Sequence, residues 1–201
     1  REVSLFAAPT MVKRLVERAA ATGADGDGIK TVVYGGGPMY AADIEEAMQV
    51  MGPRFVQISG QGECPMAITA LSRSLLADRA HPRHAERIAS VGVAQSNVEI
   101  RIAAPDGSPL PAGETGEILV RGDSVMPGYW GNPEASGQAL QQGWLFTGDV
   151  GELDADGFLY LKDRSKDMII SGGSNIYPRE IEEVLLRHPA VREVAVIGRP
   201  H

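Results

Sequence analysis

Apolar positions recur at helical spacing through Met11, Val12, Leu15, Val16 and Ala19, behind Pro9 and Thr10. That pattern predicts a helix with Thr10 as its N-cap. A glycine-rich loop follows at 23–28, then a β-branched and aromatic run at 31–34 that reads as a buried strand. Gly35-Gly36-Gly37-Pro38 breaks it, and helical spacing resumes over 41–51. A second apolar run at 55–58 ends at Ser59-Gly60-Gln61-Gly62. Strand, glycine turn and helix in succession predict an α/β fold with parallel strands.

The texture changes near residue 91. Short strands are expected at 98–102, 117–120, 144–146 and 158–161, with a helix at 133–141. Pro105-Asp106-Gly107, Pro111-Ala112-Gly113 and Asp154-Ala155-Asp156-Gly157 supply the turns between strands. The spacing predicts a small, distorted β-barrel. A third texture begins near Asp163: a strand at 168–170, a glycine turn, a helix at 178–187 and another strand from 194 to 197. Pro178 at its start, early Glu180, Glu182 and Glu183, and terminal Arg187 and His188 suit that last helix's dipole. The expected units are 1–92 (α/β), 93–163 (barrel-like) and 164–201 (the start of a small α+β domain).

Composition narrows the function class. The net charge of −7 argues against nucleic acid or an anionic membrane as partner. Cys64 is the single cysteine, so neither a disulfide framework nor a cysteine metal cluster is expected. No apolar run approaches the roughly 20 residues of a membrane span. A cytoplasmic location is the expectation. The start at Arg1, without methionine or signal sequence, is expected to mark a piece of a longer chain. Glycine is abundant, at 24 residues, and that abundance directs attention to turns that approach a ligand.

Individual residues carry less. His81 and His84 read as surface-loop residues, His188 as a helix end and Cys64 as a buried thiol. The 154–157 stretch lacks the acidic twelfth position of a calcium loop and reads as a hairpin turn. No Gly-Lys-Ser/Thr phosphate loop occurs. Gly35-Gly36-Gly37-Pro38 follows a strand and precedes a helix, where open α/β sheets bind ligands. By itself Asp163-Arg164-Ser165-Lys166-Asp167 reads as a solvated charge run.

Five segments taken in order are specific. They are Tyr34-Gly35-Gly36-Gly37-Pro38; Gln57-Ile58-Ser59-Gly60-Gln61-Gly62-Glu63; Gly128-Tyr129-Trp130; Gly143-Trp144-Leu145-Phe146-Thr147-Gly148-Asp149; and 163–183. Their order and spacing resemble the ANL superfamily of adenylate-forming enzymes, in its AMP-forming acyl-CoA synthetase branch acting on fatty and aryl acids. The resemblance covers essentially the whole chain.

It implies the C-terminal part of a large α/β domain with a small distorted barrel, then the start of a small C-terminal domain. It implies activation of a carboxylic acid by ATP and Mg²⁺ to an acyl-adenylate, with transfer to coenzyme A. By resemblance, Gly35, Gly36, Gly37 and Pro38 lie along the adenine, together with the turn Ser59, Gly60, Gln61 and Gly62. Glu63 is the catalytic, Mg²⁺-linked carboxylate; Asp149 accepts both ribose hydroxyls; Arg164 contacts the ribose or phosphate side. Lys166 is the hinge, and Gly172, Gly173 and Ser174 form the loop lining the CoA tunnel.

Ser59 stands where the family commonly stacks an aromatic ring on adenine, and Gly62 where it commonly offers a hydroxyl to phosphate. The family's phosphate loop is expected upstream of Arg1 and its catalytic lysine downstream of His201. The 201 residues alone are therefore expected to be inactive. The alternatives are a non-catalytic nucleotide-binding or interaction module, and an adenylation domain that loads a carrier protein. Neither the acid nor the oligomeric state is legible.

Overall fold

The computed structural model describes residues 2–164, 167–171, 174–188 and 190–199. It opens with a strand the apolar pattern does not announce, β1 (Val3–Ala7), followed by α1 (Pro9–Thr22). The cap of α1 is Ala8 rather than Thr10, because Pro9 already occupies the first helical turn. Val12, Val16 and Ala19 form its buried face. After β2 (Ile29–Tyr34), α2 (Ala41–Met51) buries Ile44, Ala47, Met48 and Met51, the i, i+3, i+4, i+7 set that its spacing predicts.

The third strand, β3 (Phe55–Gln61), runs three residues past the expected end and turns back at Gly62-Glu63 into β4 (Cys64–Leu71). β1, β2 and β3 pair in parallel, while β3–β4 and β4–β5 (Val93–Ala94) are antiparallel. The first sheet thus takes in Val93 and Ala94, just beyond residue 92. Between β4 and β5 lie two short helices, α3 (Arg73–Ala77) and α4 (His84–Ala89). His84 is not in a free loop: it opens α4 and its Nε2 lies 2.9 Å from the Leu76 carbonyl.

The second sheet, in the order β10-β9-β7-β6, is antiparallel and makes a half-barrel rather than a closed one. Its strands are β6 (Val98–Ala103), β7 (Gly116–Gly122), β9 (Trp144–Leu153) and β10 (Leu159–Arg164). The helix α5 (Pro133–Ala139) and the two-residue β8 (Leu140–Gln141) precede β9. Beyond β10 lie a hairpin, β11 (Ile169–Ser171) with β12 (Ser174–Ile176), and then α6 (Pro178–Leu186). Among the described residues no strand forms at 194–197: the Val196 amide bonds to the Glu182 carboxylate (2.9 Å) instead of a ladder partner.

Two cores result. The first packs Val12, Val16, Ile44 and Phe55 around fully buried Val32, Tyr34 and Leu71. The second joins Cys64 and Ile68 of β4 to Val98, Ile102, Ile118, Val120, Leu145 and Leu159. β4 therefore contributes to both, and each fully buried Leu, Ile or Phe adds about 1.5–3 kcal/mol of transfer free energy. Because β4 ties the sheets together, the carboxyl ends of β2 and β3 face the half-barrel across a cleft.

Candidate nucleotide site

The cleft has a volume of about 1200 Å³, beyond the usual roughly 300–1,000 Å³ of a single small-ligand pocket. Gly36, Gly37, Pro38 and Tyr40 form the wall after β2; the Ser59–Glu63 stretch forms the wall at the end of β3. Thr147, Gly148, Asp149, Asp163 and Arg164 face them from the half-barrel. Pro178, Arg179 and Glu182 of α6, with Val196 to Gly198, line it from the C-terminal segment.

Asp149 reaches the cleft through a bulge. Between the pairs Glu117↔Val150 and Leu119↔Phe146, β7 has one residue where β9 has three. Two of Thr147, Gly148 and Asp149 are thus surplus to the pairing, just where the apolar run at 144–146 predicts the strand to end. Instead β9 continues through them to Leu153. Thr147 Oγ1 donates to the Ile118 carbonyl (2.7 Å) and accepts from the Asp149 amide (3.1 Å), while the Gly148 amide donates to Glu117 Oε1 (3.0 Å). Gly148 has φ +70°, a conformation in which side chains are strained. A bulge held this way re-aims the following side chain out of the sheet.

Once out, the carboxylate meets Gln61 and Arg164. Gln61 Nε2 donates to Oδ2 (3.0 Å) from the opposite wall, and Arg164 Nε lies 3.6 Å from Oδ1 on the adjacent strand. The Arg164 side chain is 60% exposed against 26% for Asp149, so the pair contributes little by itself and leaves the guanidinium available to a ligand. Burial pushes the Asp149 carboxyl above the ordinary aspartate range, reinforced by the charges of Glu63 and Asp163 and only partly offset by Arg164 and Gln61. A ligand that donates hydrogen bonds to this carboxylate relieves that cost.

Glu63 sits at the tip of the β3–β4 hairpin. Its carbonyl accepts from the Met126 amide (2.8 Å), and its Oε1 accepts from the Tyr129 hydroxyl (2.6 Å). Glu182 spans the cleft's other rim: Oε2 accepts from Tyr40 (3.1 Å) and Oε1 from the Val196 amide. Burial, then the Glu182 charge, pushes the Tyr40 phenol up to about 12. Two further contacts bring α6 down on β10: Lys162 with Glu180 (2.8 Å), and the Arg179 amide with Asp163 Oδ2 (3.4 Å).

The expected residues sort into three groups. Gly36, Gly37, Pro38, Ser59, Gly60, Gln61, Gly62, Glu63, Asp149 and Arg164 all line the cleft. Gly35 and Ser174 are not among its lining: a Cβ on Gly35 would meet the Ile58 carbonyl oxygen at 2.3 Å, so strand approach demands this glycine, and Ser174 is exposed at the start of β12. Gly60 is likewise demanded by β4, since a Cβ there would stand 2.3 Å from the Met66 nitrogen. Lys166, Gly172 and Gly173 lie outside the described residues. Sequence reasoning missed Glu117, Tyr40, Glu182 and the contact made by Tyr129. Tyr129 and Glu182 sit in recognised segments, which is the available signal; Glu117 and Tyr40 bear no local mark.

Comparison with known proteins identifies the family. The AMP-binding enzyme family matches residues 3–130, and the AMP-binding enzyme C-terminal domain matches 180–201. A feruloyl-CoA synthase of an Amycolatopsis species is 42% identical over 200 residues, covering 100% of this chain and 39% of that protein. A medium/long-chain-fatty-acid–CoA ligase, FadD8 of Mycobacterium tuberculosis, is 37% identical over 192 residues, covering 96% of this chain and 32% of that protein. Among solved structures, the amide bond synthetase McbA of Marinactinospora thermotolerans superposes with a TM-score of 0.87 at 38% identity, over 99% of this chain and 39% of that one. The o-succinylbenzoate coenzyme A synthetase of Bacillus subtilis, solved with ATP and magnesium, gives 0.82 at 37%, over 99% of this chain and 39% of that one. The chain thus spans about two fifths or less of these relatives' length. With glycine turns, bulged aspartate and hairpin glutamate gathered on one cleft, and with the family's sequence matched over 3–130, this chain belongs to the AMP-binding enzymes.

Proposed function

We propose that these residues form the ribose- and metal-side half of the nucleotide site of an AMP-forming acid–thiol ligase. In that reaction ATP activates a carboxylic acid as the acyl-adenylate, and a thiol, coenzyme A, displaces AMP to give the thioester. The observation that carries the reading is the convergence of Asp149, Glu63 and Arg164 on one cleft from three separate segments.

Asp149 accepts the two ribose hydroxyls, oriented by Gln61; hydrogen bonds to a charged group contribute roughly 1.5–3 kcal/mol each. Arg164 meets the ribose or phosphate side with its exposed guanidinium. Gly36, Gly37 and Pro38 flank the base. Ser59 offers no ring, so base affinity rests on these walls. Gly62, with open space around its Cβ position, leaves room for phosphate to approach its backbone.

The donor set fits magnesium. Among the described residues no group of three His, Cys, Asp or Glu could hold a metal ion, but Glu63 supplies one carboxylate at the cleft wall. Magnesium keeps several waters and takes one or two carboxylates plus substrate phosphates, so one suffices. When bound there it neutralises phosphate charge, and Glu63's part is to hold it. Ser174 and the β11–β12 hairpin are assigned to the CoA side, with Gly172 and Gly173; Lys166 is assigned to the hinge. Units 1–92, 93–163 and 164–201 remain our division, and the cytoplasm our assignment of place. No helix among the described residues is long and apolar enough to cross a membrane.

The test is a screen of the full-length protein for acid-dependent AMP release across fatty, aryl and short acids, with CoA, a carrier protein and an amine as acceptors. The carrier protein and amine belong in it because a fatty acid–[acyl-carrier-protein] ligase of Streptomyces coeruleorubidus (34% identical) and the amide bond synthetase are also relatives. Thioester formation with CoA is the expected result. Nucleotide binding without AMP release from any acid would favour a non-catalytic module.

A further inference from the structure

Tyr129 belongs to a segment that the nucleotide reading leaves without a task. It lies in the loop between β7 and α5, 66 residues from Glu63, yet its hydroxyl donates to Glu63 Oε1 at 2.6 Å. That length marks a charge-assisted bond. The loop is itself fixed at several points. The Met126 amide donates to the Glu63 carbonyl (2.8 Å), and the Tyr129 amide donates to Ser136 Oγ (2.8 Å). Ser136 Oγ in turn donates to the Asn132 carbonyl (2.7 Å), and Asn132 Oδ1 caps α5 through the Ala135 amide (3.0 Å).

Glu63 would otherwise swing freely at a hairpin tip beside Gly62, whose surroundings are open. Fixing such a side chain on binding a ligand costs rotamer entropy. The phenol fixes it in advance, engaging Oε1 while Oε2 takes no hydrogen bond among the described residues.

We propose that Tyr129 is a positioning residue for the metal-side carboxylate: it anchors Oε1 of Glu63 so that Oε2 is presented to a divalent cation in the cleft. The proposal rests on the reading of Glu63 given above. Partners behind a metal ligand typically contribute 10–100-fold in metal affinity.

The experiment measures Mn²⁺ binding by electron paramagnetic resonance in the full-length protein with nucleotide present, so it needs no turnover. Tyr129→Phe is expected to raise the Mn²⁺ dissociation constant about tenfold with an unchanged circular dichroism spectrum. Ser136→Ala, which loosens the loop but keeps the phenol, is expected to weaken binding by a smaller factor. Trp130→Ala, altering the fully exposed neighbour, is expected to change nothing. Should Tyr129→Phe lose its fold, the Ser136→Ala and Trp130→Ala pair decides, equal affinities overturning the proposal. If Tyr129→Phe binds Mn²⁺ like the wild type while Glu63→Gln binds it poorly, the proposal falls and the Glu63 reading stands. If Glu63→Gln also binds normally, both fall.

Discussion

Replacing Asp149 by alanine tests the nucleotide site at its centre. Two ribose hydroxyls donating to a carboxylate contribute about 1.5–3 kcal/mol each. Full loss would be about 3–6 kcal/mol, and with 26% of the side chain exposed the lower half of that span is expected. At about 1.4 kcal/mol per tenfold, nucleotide affinity should fall roughly 100–1,000-fold. Stability should move the other way. Burial raises the Asp149 carboxyl in the folded state, so folding binds its proton more tightly than the unfolded chain does. Its contribution therefore declines as pH rises through the window from the unfolded to the raised folded value, and at neutral pH the ionised group is a net cost. Asp149→Ala should keep or raise Tm there. The assay is calorimetric titration of the full-length protein with ATP and with its 2′- and 3′-deoxy analogues. Wild type should lose about tenfold or more for each missing hydroxyl, and Asp149→Ala should not discriminate. A variant that binds ATP within threefold of wild type, or still prefers ATP over the deoxy analogues, would refute the ribose assignment.

Three further outcomes follow from other parts of the molecule. Asp154 accepts from the Asp156 and Phe158 amides (2.9 and 2.8 Å) and from Arg83 and Tyr160; burial pushes its carboxyl up, but these bonds outweigh burial and hold it below the usual range. Its stabilisation is present above the unfolded aspartate value and disappears as pH falls through the lowered folded one, so Asp154→Asn should flatten the acid limb of a Tm-against-pH curve; an unchanged limb would contradict it. Gly60→Ala forces a methyl to within 2.3 Å of the Met66 nitrogen and should destabilise folding by about 1–3 kcal/mol or more in urea titration, whereas a wild-type midpoint would show that the β3–β4 contact is loose. On the proposed reading, the 201-residue chain alone should show no ATP–pyrophosphate exchange; measurable exchange would overturn that.

What local pattern determines here is considerable. α2 runs from Ala41 to Met51 as its apolar spacing requires, because its buried face is written at i, i+3, i+4 and i+7. The 154–157 turn forms because Asp154 captures amides within four residues of itself. The five recognised segments are local as well, and ten of the expected site residues line one cleft.

The remainder depends on partners far away in the chain. Asp149 projects because β7 supplies one residue against three, a mismatch visible only once the strands are paired. Gln61 orients it from 88 residues away, and Tyr129 reaches Glu63 from 66. Gly35, which reads as a ligand-facing glycine, answers instead to the Ile58 carbonyl, and Gly60 lines the cleft but is also demanded by the β4 backbone. The apolar run at 194–197 has strand propensity but no strand partner among the described residues, and a strand needs a ladder to satisfy its amides. The sequence by itself thus determined elements such as α1, α2 and α6, the 154–157 turn and the family. Which side chains converge on the cleft, and what holds each there, was decided by strand register and packing, because those contacts join segments whose separation no local rule encodes.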